Sequence, residues 1–172
     1  MTRALVAYAS KHGGTAEIAE AIASELRDRG VDVEARPAAD VRDLSGFDAV
    51  VIGSALYMNR WQGDAIDVLK RMEREGVRRP VWLFSSGPTG GTAESNAKVS
   101  EALAGQPPAP GDAGKRGARL GIMGHATFGG RVGDEMNGLL ERWMPRGDWR
   151  DFDAVRVWAA TIAGELATSA SA

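Results

Sequence analysis

Ala4-Leu5-Val6-Ala7-Tyr8-Ala9-Ser10-Lys11-His12-Gly13-Gly14-Thr15 lies near the start of the chain, and its reading decides the fold. The first six of these residues form an apolar run of strand length; the next six break it with hydroxyls and two glycines. From Ala16 a helical period takes over, with Ile18, Ile22 and Leu26 recurring every four residues among Glu17, Glu20, Glu25, Arg27 and Asp28, until Gly30 supplies a stop. The unit is strand, tight loop, helix. A helix that starts directly after a glycine-rich, hydroxyl-bearing loop presents unpaired backbone N–H groups and the positive end of its dipole, and so forms an anion site. Each hydrogen bond from such a group to a charged phosphate contributes on the order of 1.5–3 kcal/mol, so roughly three or four hold a phosphomonoester without an arginine clamp. The same residues also read as a plain turn in which Thr15 does no more than cap the helix.

Outward from this unit, strands and helices alternate. Val31, Val33 and Ala35 alternate with Asp32, Glu34 and Arg36 before Pro37, as in an outer strand with one solvated face. Phe47 to Ser54 is a nearly continuous apolar run, the mark of a central strand covered on both faces. Ala55 to Trp61 reads as a loop, and Ala65, Val68, Leu69 and Met72 give an amphipathic helix ending near Gly76. Pro80 restarts the chain, and the buried-type strand Val81 to Ser86 runs into the loop Gly87 to Thr92. Ala93 to Leu103 reads as a weaker helix, and the Pro, Gly and Ala rich segment Gln106 to Gly117 as an exposed loop. Leu120 to Gly124 is the expected last strand, opening into His125 to Gly130. Met136, Leu139, Leu140, Trp143 and Met144 then line a short helix stopped by Pro145. Asp151 caps a final helix whose inner face is Val155, Trp158, Ala159, Ile162 and Leu166, with residues 169–172 as a frayed tail. The alternation predicts one domain over residues 1–168, a three-layer, doubly wound α/β sheet of five parallel strands.

Composition narrows the function. At 172 residues the chain is long enough to bury a sheet between helices on both faces. Its net charge of −2, with signs mixed along the sequence, supplies neither a nucleic-acid surface nor a polybasic membrane patch. The absence of cysteine excludes disulfides, thiolate metal sites and cysteine nucleophiles, and two histidines without cysteine make a poor metal set. No stretch approaches the roughly 20 apolar residues of a spanning helix, so the expectation is a cytoplasmic protein, soluble or peripheral at a membrane.

In such sheets ligands sit beyond the carboxyl ends of the strands. The strand-exit loops are Ser10 to Thr15, Ser54 to Trp61, Ser86 to Thr92 and His125 to Gly130, and none carries a carboxylate. That decides against a phospho-accepting receiver module, which needs acidic residues where Ala9-Ser10 and Gly53-Ser54 stand. There is no glycine-rich loop ending in Gly-Lys-Ser/Thr, no Gly-x-Gly-x-x-Gly after the first strand and no Gly-x-Ser-x-Gly elbow. A phosphate loop and loops able to grip a flat ring remain.

Ser10-x-x-Gly13-x-Thr15 after a first strand resembles the FMN phosphate loop of flavodoxins, with His12 standing where a hydroxyl is usual. The resemblance implies the strand order 2-1-3-4-5 and FMN as cofactor. Its phosphate would lie on Ser10, Lys11, His12, Gly13, Gly14 and Thr15, where Lys11 and His12 either add positive charge or face water. Its ring would lie between Ser54, Ala55, Leu56, Tyr57, Met58, Asn59 and Trp61 on one side and Ser86, Gly87, Pro88, Thr89 and Gly90 on the other. Tyr57 and Trp61 are the aromatic candidates, with Trp61 equally readable as ordinary core. The later loop holds no aromatic, which leaves one ring face open to an organic substrate. The chain further resembles the flavodoxin-like branch of the menaquinone-dependent protoporphyrinogen dehydrogenases. The shared features are Tyr8-Ala9-Ser10 to Ile18-Ala19, the strand ending at Ser54 with its aromatic loop, the helix Asp134 to Trp143, and Gly147-Asp148-Trp149. That branch implies Phe128 beside the flavin and His125 on the substrate side, delivering or accepting a proton as catalytic residue or serving as a structural hydrogen-bonder. It also implies a porphyrinogen-type substrate and a quinone-type acceptor. The alternatives are a flavodoxin-type electron carrier meeting a redox partner, which the near-neutral charge disfavours, and a non-catalytic module.

Overall fold

The computed structural model describes residues 1–76, 78–87, 109–134, 138 and 146–170. The opening apolar run is strand β1 (Arg3–Ala9), and the period that follows is helix α1 (Gly14–Asp28), with Ile18, Ile22 and Leu26 all buried. Strand β2 (Asp32–Pro37) is the outer strand, and β3 (Ala49–Tyr57) the central one. A two-residue strand β4 (Arg60–Trp61) folds back on β3 and leads into α2 (Gly63–Glu75). Then come β5 (Val81–Ser86), α3 (Gly111–Leu120) and β6 (Gly124–Phe128). The short strands β7 (Arg131–Val132) and β8 (Gly147–Asp148) pair antiparallel, and α4 (Phe152–Ala170) closes the chain.

The main sheet runs β2-β1-β3-β5-β6, all parallel, so its five long strands taken in chain order stand 2-1-3-4-5 as expected. Val6 faces Ala35 on one side and Val51 on the other; Val51 faces Trp82. The chain leaves β1 outward to β2 and returns on the opposite side at β3. The order therefore reverses between β1 and β3, where the exits of the two strands diverge and leave a crevice.

Alternation along the strands sorts side chains into two cores. Ala4, Val6, Val51, Trp82, Phe84, Ala126 and Phe128 meet α1 and α4 on one face. Leu5, Ala7, Val50, Ile52, Val81 and Leu83 meet α2 and α3 on the other. Phe84, Phe128 and Trp158 form an aromatic cluster on the α1/α4 side, with ring centroids 5.7–6.3 Å apart and steeply inclined planes. No helix among the described residues is long and apolar enough to cross a membrane.

Several expectations are corrected. Residues 111–117, expected as part of an exposed loop, belong instead to α3, in which Ala113, Gly114 and Gly117 are buried. Small residues that lower helix propensity also let this helix lie close on the sheet, where a Cβ at Gly117 would stand 3.1 Å from Leu83 and Ile122. Gly121, with φ +67°, closes α3 and turns the chain, so the last strand of the main sheet is β6 rather than Leu120 to Gly124. His125 and Phe128 are thus strand residues, and the exit loop is Gly129-Gly130. β3 continues three residues beyond Ser54, because β4 supplies it with a partner. Helix α4 persists through Ala170, past the expected frayed end. The predicted helices over 93–103 and 134–143 fall outside the described residues apart from Asp134 and Gly138.

Candidate functional site

A cleft of about 1120 Å³ lies at the carboxyl ends of β1, β3 and β5. Its floor is the loop after β1 and the first turn of α1. Gly13 precedes the helix with φ +84°, a left-handed conformation that glycine adopts without a Cβ clash. Its amide donates to Ser10 Oγ at 3.0 Å, which turns the loop back on itself. No side chain caps α1, and Thr15, two residues into the helix, is 2 % exposed, so the reading of Thr15 as a simple cap is not what the structure shows. The first helical amides have no carbonyl one turn earlier. Ser10, Lys11, His12, Gly14 and Thr15 all line the cleft; Gly13 shapes the loop without lining it.

The facing wall is the β3–β4 hairpin. Leu56 stands opposite Trp61 and Tyr57 opposite Arg60, with Met58 and Asn59 at the tip in positive φ, 48° and 59°. Tyr57 and Met58 are exposed, and Lys11 Nζ lies 5.0 Å from the Tyr57 ring centroid, so the loop after β1 reaches across to the hairpin. Ala55, Leu56, Tyr57, Met58, Asn59 and Trp61 line the cleft. Ser54 does not: it is fully buried, and its hydroxyl accepts from the Gln62 amide at 2.9 Å and donates to the Ala55 carbonyl at 2.9 Å, fixing the hairpin's base.

Trp61 serves in two capacities. It lines the cleft yet is 7 % exposed, and its Nε1 donates to Ser85 Oγ at 2.8 Å. Ser85 Oγ also lies 2.9 Å from Nε2 of His125, which is 3 % exposed and stands on β6 beside Leu83. His125 is therefore joined to the cleft through two side chains and does not line it. Phe128 does not line it either: at 3 % exposure it lies in the core against Phe84 and Trp158. Both corrections have one cause: the strand starts four residues later than the pattern indicated, which draws these side chains into the sheet. Ser86 and Gly87 line the cleft, whereas Pro88, Thr89 and Gly90 fall outside the described residues.

Sequence reasoning missed Arg60, Gln62, Gly63, Gly130, Arg131 and Val132, which complete the lining. The glycine pair Gly129-Gly130 was the available signal for the last three. Arg131 packs against the helix start, its Cβ 3.6 Å from where a Cβ on Gly14 would be. Beside it, the hydrogen bond from Arg150 holds the Asp148 carboxyl below its ordinary value of 3.8, with the charge of Arg131 acting in the same direction. Among the described lining residues there are cations and no carboxylate.

These features fit FMN. The volume exceeds the roughly 300–1,000 Å³ of common ligand pockets. Hydroxyl and amide donors sit at one end, apolar and aromatic groups along the hairpin, and no acidic lining group opposes a dianion. Comparison with known proteins agrees. Among solved structures, a flavodoxin from the domain Archaea superposes with TM-score 0.60 at 18 % identity, covering 95 % of this chain and 98 % of its own. Flavodoxin 1 from Bacillus cereus gives 0.59 at 16 %, with coverages of 92 % and 95 %. The rubredoxin oxygen:oxidoreductase of Desulfovibrio gigas gives 0.62 at 17 %; the whole of this chain matches 38 % of that one. At these identities the likeness speaks for the fold. The family model for the flavodoxin domain matches residues 5–144, so the chain belongs to the flavodoxin domain family, with FMN as the cofactor that membership implies.

Proposed function

We propose that the chain is an FMN-dependent oxidoreductase that passes electrons from a reduced organic substrate of the porphyrinogen type to a quinone-type acceptor. The observation that supports it best is the union of a helix-start anion site and an aromatic hairpin wall in one cleft free of lining carboxylates among the described residues. Ser10, Gly14 and Thr15 would hold the phosphate through hydroxyl and amide donors, and Tyr57, Leu56 and Trp61 would flank the ring. The bound flavin supplies one- or two-electron chemistry. The chain's own residues orient it, exclude water on the Trp61 side and leave the mouth by Tyr57 and Met58 open. Lys11, Arg60 and Arg131 give that mouth a positive character suited to a carboxylate-bearing substrate. The features shared with the porphyrinogen-oxidising branch, Tyr8 to Ala19 and Gly147-Asp148-Trp149, point the same way.

The test titrates apo-protein with FMN and with riboflavin. Thr15→Val removes a phosphate partner and no ring contact, so FMN should weaken about 10- to 100-fold while riboflavin is unchanged. Equal losses for both would overturn the phosphate assignment. Reconstituted protein should then oxidise a porphyrinogen with a quinone as acceptor. Turnover only through a protein partner would instead identify an electron carrier.

A further inference from the structure

The motif Gly147-Asp148-Trp149-Arg150 is far from the phosphate loop in sequence and adjacent to it in space. Trp149 docks on the exit of β6: its amide donates to the Gly130 carbonyl at 3.0 Å, and a Cβ at Gly129 would lie 2.0 Å from the Trp149 carbonyl oxygen, so only glycine permits the contact. That docking aims Arg150 at the start of α1. The Arg150 side chain is 6 % exposed. Its Nε and Nη2 donate to the two Asp148 oxygens at 2.8 and 2.6 Å, the fork geometry of a bidentate pair. Its Nη1 reaches the Glu17 carboxylate and lies 3.4 Å from the Gly14 carbonyl oxygen. The Phe152 ring covers the guanidinium with its centroid 5.0 Å away.

We propose that Arg150 is a positioning residue of the phosphate end of the cleft, locking the first turn of α1 to the β7–β8 ribbon so that the amides of Gly14 and Thr15 keep a fixed direction. The inference rests on the phosphate reading of that turn. Two physical effects are combined. A glycine-led helix start that no side chain caps is free to fray, and the arginine ties its first carbonyl and its first-turn carboxylate to a separate element. Glu17, one turn from the anion site, would repel a phosphate dianion; pairing with Arg150 cancels that charge. A lysine would keep the charge and lose the fork.

The test measures FMN and riboflavin affinity of apo-protein for wild type, Arg150→Met, Arg150→Lys and, as control, Thr15→Val, with melting temperatures alongside. Arg150→Met should weaken FMN about tenfold or more and riboflavin less than about twofold, with Arg150→Lys between the two. If Arg150→Met does not fold, Arg150→Lys decides: a selective loss of about threefold for FMN supports the role, and an unchanged FMN-to-riboflavin ratio overturns it. A split for Thr15→Val without one for either Arg150 variant removes the arginine's role alone. No split for any variant removes the phosphate reading and this proposal together.

Discussion

Trp61 Nε1 donates to Ser85 Oγ at 2.8 Å, and the same oxygen stands 2.9 Å from Nε2 of His125. The cleft wall is thus bolted to the interior of the sheet by a buried polar chain. Trp61→Phe keeps an aromatic side chain of smaller volume and deletes the N–H, leaving the fully buried Ser85 hydroxyl one partner short. The expected cost is about 1–2 kcal/mol, read as a lower urea midpoint at unchanged slope. Trp61→Ala adds the loss of packing and should cost about 3–5 kcal/mol. An unchanged midpoint for the phenylalanine variant would contradict the bond.

Tyr57 is 39 % exposed on the hairpin, opposite Arg60, while Thr15 lies at the helix start. Substitutions at the two should therefore have different ligand signatures. Tyr57→Ala is expected to weaken FMN and riboflavin by the same factor, about 0.5–1.5 kcal/mol beyond the lost contact area. Isothermal titration of both flavins checks it, and an FMN-specific loss would place Tyr57 at the wrong end.

Phe128 is a core residue against Phe84 and Trp158. Phe128→Ala should destabilise by about 3–5 kcal/mol, and Phe128→Leu by less, with flavin affinity per folded molecule retained in the leucine variant. Denaturation with and without excess FMN separates the two effects. A folded, stable leucine variant with lost flavin binding would restore Phe128 to the cleft.

Asp148 has its carboxyl held below the ordinary value of 3.8 by the hydrogen bond from Arg150. A carboxylate whose folded pKa is depressed contributes stability that is fully present above its unfolded pKa and is lost as pH falls through the folded one. Stability should therefore be level in this contribution above about pH 5 and decline below about pH 4. Asp148→Asn is expected to flatten that decline, measured as melting temperature against pH from 6 to 3. A parallel acid limb in the variant would show that the pair adds nothing to the folded state.

Unlike the details above, the layout was legible in the residues. The period-four apolar positions Ile18, Ile22 and Leu26, the continuous run through Val50 and Ile52, and the stripe Val155 to Leu166 gave α1, β3 and α4, because burial on a helix stripe or on both sheet faces leaves its mark in composition. Ser10, Gly14, Thr15, Tyr57 and Ser86 were legible as cleft residues because position at a strand exit follows from local pattern alone. What the pattern could not supply was the last third of the sheet. Glycines at 111, 114 and 117 read as loop, yet they form a helix, since close packing on Leu83 outweighs their poor propensity. That helix shifts β6 and carries His125 and Phe128 inside. Likewise the local sequence announced a glycine-rich helix start, but only the tertiary fold brings Arg150 to it across 136 positions, because contacts between distant segments leave no period in a sequence.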